Sequence, residues 1–323
     1  MGWEQSVTTE IGLDFAILKR RISGEIAYFN RGSDDLIFAK PLSRTTGFTS
    51  ITTNLASMDN SGIEISINAI PVITKDFRWN IAFNIAKIDN KVRKLTQDEV
   101  PDGTKLLKVN QDRNQWYLRE YAGIDQTDGR AMWFKNDPTG NKVTTKVYAE
   151  AIQYSGLGSA SPKFSGGFSN NLTYKDFDLS IFTYFSYGGK VYDALLQALS
   201  HNGITPGQQM SVDVLNAWSP ANTSSTIPRF LPTSNTDLSN SQSSRFLFDG
   251  SFMRVKNVSL GYTLRRDWSN KLKLGNMRIF IMSENPFTFA KHKGFDPEAT
   301  IAGLSNNDIP NVKTFSAGLT VGF

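Results

Sequence analysis

Along this chain, stretches in which every second residue is apolar are joined by connections that are short, then long, then short again. Ile11, Leu13, Phe15 and Ile17 alternate with Gly12, Asp14 and Ala16; after Lys19-Arg20-Arg21 the pattern resumes at Ile22, Gly24, Ile26 and Tyr28. A period of two gives a strand one apolar and one polar face, so these residues form a hairpin with a tight turn. A polar stretch over about 31–58 precedes strands at 63–69 and 77–85, which a turn over 71–76 joins. A second polar stretch, 89–114, precedes weaker strand patterns at 115–122 and 130–134. Strands at 164–174 and 177–186 follow, joined only by Lys175-Asp176. The longest connection, 187–250, is rich in Ser, Thr, Asn and Pro, and 193–199 inside it reads as a short helix. Strands at 252–262 and 277–284 precede the last one. There Phe315, Ala317, Leu319, Val321 and Phe323 alternate with Thr314, Ser316, Gly318, Thr320 and Gly322.

A soluble sandwich has no reason to keep short connections at one end and long ones at the other, and a structureless connection as long as 187–250 is foreign to a compact soluble domain. Outer-membrane barrels follow that rule, with short turns on one side and long loops on the other. The fold class expected is therefore all-β, a transmembrane antiparallel barrel. Hydrophobic residues at 39%, aromatics at 12% with 22 Phe, and a mean hydropathy of -0.32 suit amphipathic strands. No apolar run approaches the length of a membrane helix. Glu64, Asn68, Arg78, Asn80 and Asn84 then face a wet lumen and their apolar neighbours face lipid.

The pattern yields about eleven strands. Single-chain bacterial barrels close with an even number, and an open sheet in lipid leaves backbone groups unpaired. The chain therefore reads as part of a larger barrel, with residues 1–323 as one section of it. No signal-peptide pattern precedes the first strand, and the expectation is an excerpt of a longer protein.

Few residues point to other chemistry. A net charge of +5 is spread thinly, which argues against nucleic acid, and the absence of Cys removes disulfide and thiolate chemistry. The two histidines, His201 and His292, lie in separate loops without metal-ligand spacing. Asp193 and Asp213 lie near His201 in sequence, but a triad there is the lesser reading and a solvated loop histidine the greater. No cofactor, metal or catalytic residue is expected, and the chain does not read as an enzyme. Asp34-Asp35 and Asp296/Glu298 read as charged loop, with a calcium or sugar contact as the lesser reading. Asp296-Pro297-Glu298 also suits a structural turn. Trp116, Trp133 and above all Trp218 offer aromatic faces to sugar rings or peptides. Trp3 and Trp79 suit the membrane interface.

Several blocks resemble the SusC/RagA family of TonB-linked outer-membrane transporters. They are Trp3-Glu4 with Ile11-Gly12-Leu13-Asp14-Phe15, Arg21-Ile22-Ser23-Gly24 with Tyr28, and Tyr121-Ala122-Gly123-Ile124-Asp125 with Thr127-Asp128-Gly129. Pro162-Lys163-Phe164-Ser165-Gly166-Gly167, the run from Phe252 to Tyr262, Asn285-Pro286-Phe287-Thr288, Lys293 to Glu298 and the ending from Thr314 to Phe323 are also similar. The resemblance implies the C-terminal section of a twenty-two-stranded barrel. It further implies nutrient import of glycans or oligopeptides, location in the outer membrane of a Bacteroidetes-like cell, and a SusD-like lipoprotein on the loops. TonB would act on a plug absent from these residues. An independent passive porin or adhesin barrel is the runner-up, and a soluble β-sandwich binding module the third reading. Phe315, Leu319, Val321 and Phe323 resemble a membrane-assembly strand. Phe323→Ala or Leu319→Asp is therefore expected to impair assembly more than changes at His201 or Asp296, which are expected to stay solvated.

Overall fold

The computed structural model describes residues 2–232, 236–265, 267, 274–298, 301–305 and 309–322. Nine strands form one antiparallel sheet in strict chain order. They are β1 (Gln5–Ile17), β2 (Ile22–Pro41), β3 (Ser50–Ile73), β4 (Phe77–Lys94), β5 (Phe164–Tyr174), β6 (Phe177–Tyr187), β7 (Phe252–Thr263), β8 (Met277–Ala290) and β9 (Thr314–Val321). β1 and β9 are its two edges, so the wall is not closed on itself.

Alternation decides which face each residue takes. The register aligns Ile26 with Leu13 and Ile65, then Ile65 with Ile85. Further along the wall, Leu172, Leu179, Leu260 and Ile281 stand side by side, and Ile279 stands beside Leu319. These apolar side chains point outward, and Leu319 is 56% exposed. Phe77, Tyr174, Phe177 and Tyr262 form one registered aromatic row at the turn end. At the loop end of the same face Phe164 stacks on Tyr187, centroids 5.0 Å apart. From Phe177 to Tyr187 along β6, a rise of about 3.3 Å per residue and a tilt near 40° give a band roughly 25 Å tall, the height of a barrel's lipid-facing zone. Trp79 lies on this face, with its indole N–H donating to Asn170 Oδ1 at 3.2 Å.

The inner face carries the wall's ion pairs and most of its polar side chains, with Phe29 and Phe280 among them. Arg278 reaches Asp178 across β7, with Nη2 to Oδ2 2.6 Å, and Gly261 leaves room beneath the pair: a Cβ there would meet both side chains. Phenylalanine also recurs directly opposite glycine, as Phe15–Gly24, Phe29–Gly62, Phe185–Gly166 and Phe280–Gly318. At Gly318 the Phe280 ring lies where a Cβ would stand.

Two expectations change in detail. The wall has nine strands because the weak patterns at 115–122 and 130–134 fold above it. Leu118–Arg119 pairs with Gln153–Tyr154, and Tyr121–Ile124, Ala131–Asn136 and Lys142–Thr145 make a separate three-stranded sheet. The polar stretch 31–58, read as a connection, is mostly strand, since β2 and β3 pair from Ile22–Ala69 out to Pro41–Ser50. Above the lipid band both faces of a ribbon meet water, so hydrogen bonding continues without an apolar rhythm to mark it. The short helix expected at 193–199 is present as α1 (Ala194–Leu199), capped by Asp193 Oδ1 accepting from Leu196 N at 2.8 Å.

Candidate functional site: the folded loop layer

The long connections gather at one end of the wall and fold on one another. Their interior follows soluble-protein rules. Trp116 and Trp133 are both 0% exposed and centre two small cores. Trp116 packs with Leu118, Ala160, Tyr192 and Phe246, and its indole N–H donates to Lys190 O at 3.1 Å, tying connection 95–163 to connection 188–251. Trp133 meets the edges of Tyr121 and Tyr148, centroids 6.5 and 5.2 Å away. The third connection joins the layer through Tyr192 N donating to Gly303 O at 2.7 Å and a parallel pairing of Tyr192–Asp193 with Leu304–Ser305.

Charge fixes the seams. Arg254 on the inner face of β7 is buried and donates from Nη2 to Asp296 Oδ1 at 2.7 Å, from Nε to Thr288 Oγ1 at 2.9 Å, and from Nη1 to Glu298. Lys256 Nζ adds 3.0 Å to Glu298 Oε2. Asp296 also accepts from Glu298 N at 3.0 Å and Asn311 N at 2.7 Å. Burial alone would raise the Asp296 carboxyl, but Arg254 and these two N–H groups outweigh it and hold it below the ordinary range. Two anions meet two cations here, so Asp296-Pro297-Glu298 is a clamp on the wall. Asp237 does similar work: Arg229 grips it with Nε to Oδ2 at 2.7 Å, and Arg130 Nε reaches Oδ1 at 3.0 Å. In the 121–129 block, Lys146 lies 2.5 Å from Asp125 and 2.9 Å from Asp128. Lys146 and the hydroxyl and N–H of Thr127 hold the Asp125 carboxyl well below its usual value.

Lys105 behaves differently. Its Nζ lies 3.0 Å from the Trp116 ring centroid and donates to Asn114 O at 3.1 Å. Both contacts favour the charged amine, yet burial dominates and the pKa falls to about 7.

Sequence reasoning placed several residues wrongly. His201 is 2% exposed, not solvated; its Nδ1 accepts from Thr205 N at 3.4 Å and Nε2 lies 3.3 Å from Gln209 O. Asp296 is likewise buried. Asp193 pairs with His292, not His201, with Nε2 to Oδ2 2.8 Å, and His292 lies flat on Phe248. The pair fastens one connection to the other. Trp116 and Trp133 offer no face to a ligand because both are core. Trp218 is half-buried. Its indole N–H donates to Gln126 O at 3.0 Å, and its ring covers Gly129, joining connections 188–251 and 95–163. Of the terminal-strand residues, Phe315 and Leu319 are exposed on β9 opposite Ser283 and Ile279, and Val321 is partly covered opposite Met277. Phe323 lies outside the described residues. A cleft of about 1080 Å³ opens where the last connection meets β7 and β8, with Phe252, Arg254, Thr288, His292, Asp296 and Asn311 among its walls.

An antiparallel wall, apolar outside and polar inside, under a folded layer of long loops defines a barrel receptor of the outer-membrane type. The comparisons agree. Residues 2–279 match the family described as TonB dependent receptor-like, beta-barrel, and the chain belongs to that family. It is 30% identical to TonB-dependent receptor P3 of Formosa agariphila over 99% of this chain and 34% of that protein. It is also 30% identical to TonB-dependent receptor SusC of Bacteroides thetaiotaomicron, over 99% of this chain and 32% of that protein. The solved RagAB peptide transporter superposes with a TM-score of 0.87 at 26% identity, covering 100% of this chain and 36% of that one. The chain thus spans about a third of the length of the curated relatives it matches.

Proposed function

We propose that residues 1–323 serve as the C-terminal barrel section of a TonB-dependent importer of glycans or oligopeptides, in the outer membrane of a Bacteroidetes-like cell. The observation that carries this reading is the inverted wall crowned at one end by a folded loop layer. The outward face suits lipid, the polar inner face suits a wet passage, and the layer supplies a surface for captured nutrient. Likeness to the RagAB peptide transporter supports the oligopeptide class, and likeness to the TonB-dependent receptor SusC supports the TonB-dependent reading. A SusD-like lipoprotein fits over the loops, and TonB acts on a portion of the whole protein outside this chain. Within the layer, the uncovered part of the Trp218 ring is assigned to ligand contact. β9, through Phe315, Leu319 and Val321, is assigned to membrane assembly, together with Phe323 after it in the sequence. The chain's role is transport and not enzymatic turnover.

The test is uptake by cells carrying the full-length protein. Removing the gene abolishes growth on one glycan or peptide pool, and Trp218→Ala weakens uptake of that pool with normal amounts of barrel in the membrane. Recovery of the protein in the aqueous fraction without detergent would sink the reading at its base.

A further inference from the structure

Both ends of the wall carry exposed cations. At the loop end Lys87 pairs with Asp89 at 3.2 Å and Arg93 with both Asp34 and Asp59 at 2.9 Å, while Lys91, Lys94, Lys291 and Lys313 are exposed and in no ion pair among the described residues. At the turn end the exposed cations are Lys19, Arg20 and Arg21 between β1 and β2, Lys75 between β3 and β4, and Lys175 between β5 and β6. None of these five is in an ion pair among the described residues. Arg265 pairs with Asp267 at 3.5 Å, and Asp76 and Asp176 are the other acidic groups in these turns. The balance remains basic, with five unpaired cations against two carboxylates.

Depth is set by a second observation. The registered aromatic row of Phe77, Tyr174, Phe177 and Tyr262 lies at this end, and amphipathic rings collect where acyl chains give way to headgroups. Lys75 lies two residues from Phe77, while Lys175 directly follows Tyr174, with its Nζ 5.4 Å from that ring's centroid. Lys19, Arg20 and Arg21 lie between the outward Ile17 and Ile22. The cations therefore stand one or two residues past the end of the apolar band, at the height of headgroup phosphates, with stems long enough to reach them.

We propose that the short-turn end of the wall is a docking surface for the phosphates of anionic glycerophospholipid in the leaflet it faces, with Lys19, Arg20, Arg21, Lys75 and Lys175 as the binding groups. The inference rests on the membrane-spanning reading and adds to it a lipid preference. A zwitterionic headgroup supplies no net attraction, whereas each basic residue beside an anionic lipid surface contributes about fivefold to binding. The attraction weakens as salt shortens the Debye length.

The experiment is native mass spectrometry of the full-length protein in zwitterionic detergent, with phosphatidylglycerol or phosphatidylcholine added. The unaltered protein is expected to retain phosphatidylglycerol preferentially. Lys19→Gln, Arg20→Gln, Arg21→Gln, Lys75→Gln and Lys175→Gln combined should reduce that retention at least about tenfold. A charge-keeping set, with Lys19→Arg, Arg20→Lys, Arg21→Lys, Lys75→Arg and Lys175→Arg, should restore it. Heat-modifiable gel mobility reports the barrel in each case, and Lys75→Gln with Lys175→Gln alone should give an intermediate loss if the full set fails to assemble. Equal retention of both lipids, or undiminished phosphatidylglycerol on the glutamine variants, overturns the inference. So does equal displacement of the lipid by soluble polyglutamate, which would make this an acidic-polymer surface. Failure of the unaltered protein to partition with detergent overturns the membrane reading itself.

Discussion

The wall and the loop layer are built from one chain under opposite solvent rules. In the wall, Leu13, Leu260, Ile279 and Leu319 are exposed and ions such as Arg278–Asp178 lie inside. In the layer, Trp116, Leu118, Trp133 and Tyr192 are buried, as in a small soluble domain. Hydrophobic burial from water is about 25 cal/mol per Å². It operates fully in the layer, while the wall gains its equivalent only when lipid covers the outward side chains. Stability of the two regions should therefore separate under mutation.

The largest separation is expected from Trp116→Ala. Loss of a buried Trp costs about 3–5 kcal/mol, so connections 95–163 and 188–251 should become protease-sensitive while heat-modifiable mobility of the membrane-inserted barrel stays normal. A barrel lost along with the loops would show that the layer is part of the wall's folding unit. Leu319→Arg tests the converse. A cation facing lipid costs about 2–4 kcal/mol at mid-membrane and less toward the interface, where Leu319 stands level with Tyr262 through Ile279; the change should still cut the amount of folded barrel in the membrane. Equal yield from Leu319→Arg and the unaltered protein would remove β9's outward face from the lipid zone. Gly318→Ala comes next, because the added methyl enters the space of Phe280; overpacking costs about 1–3 kcal/mol, read as a lower temperature for loss of heat-modifiable mobility. Gly318→Ala with Phe280→Leu should recover most of it.

The smallest effect expected is a pH dependence confined to the layer. Lys105 has a folded pKa of about 7 against an ordinary 10.5. Below pH 7 the amine is charged whether the layer is folded or open, and the cost of burying that charge is constant. Between pH 7 and about 10.5 the open form binds a proton that the folded form does not, so layer stability rises with pH. The slope cannot exceed about 1.4 kcal/mol per pH unit, the value for one proton bound by the open form alone. Hydrogen exchange at Trp116 and Leu118 should slow relative to base-catalysed rates across that window, and Lys105→Met should flatten the change. An unchanged slope in Lys105→Met would assign it to another group.

What the sequence made legible follows the same divide. In the wall each residue sees one of two environments, so a period of two reveals the strand, as at Phe315 to Val321. The alternation vanishes where β2 and β3 rise above the lipid, which is why 31–58 read as loop. In the layer, contacts join residues far apart in the chain. Nothing near Trp116 announces Lys190 or Tyr192, nothing near Asp193 announces His292, and nothing near Asp296 announces Arg254. Asp296-Pro297-Glu298 and Tyr121 to Gly129 stood out as motifs, but their roles as a clamp and as part of the Trp133 core depend on partners that only the fold supplies. Exposure was the property least well read. His201 and Trp116 sit beside polar residues in sequence and Trp133 in a short apolar run, yet all three are buried in space.

The four phenylalanine–glycine pairs carry information as well as contact. Backbone hydrogen bonds are nearly the same in any register, so a long hairpin has little in its main chain to tell it where to stop sliding. A ring fitted over a glycine is a notch that only one alignment satisfies. Moving β9 by one residue against β8 puts Phe280 opposite Ala317 or Leu319, and moving it by two puts the ring opposite Ser316 or Thr320, each with a Cβ in the way. The same holds for Phe15, whose slipped neighbours on β2 are Ser23, Glu25, Ile22 and Ile26. Placed on β1–β2, β2–β3, β5–β6 and β8–β9, the notches give the wall checkpoints spaced along its width. A registration error in one hairpin then meets a steric barrier before it can be copied into the next.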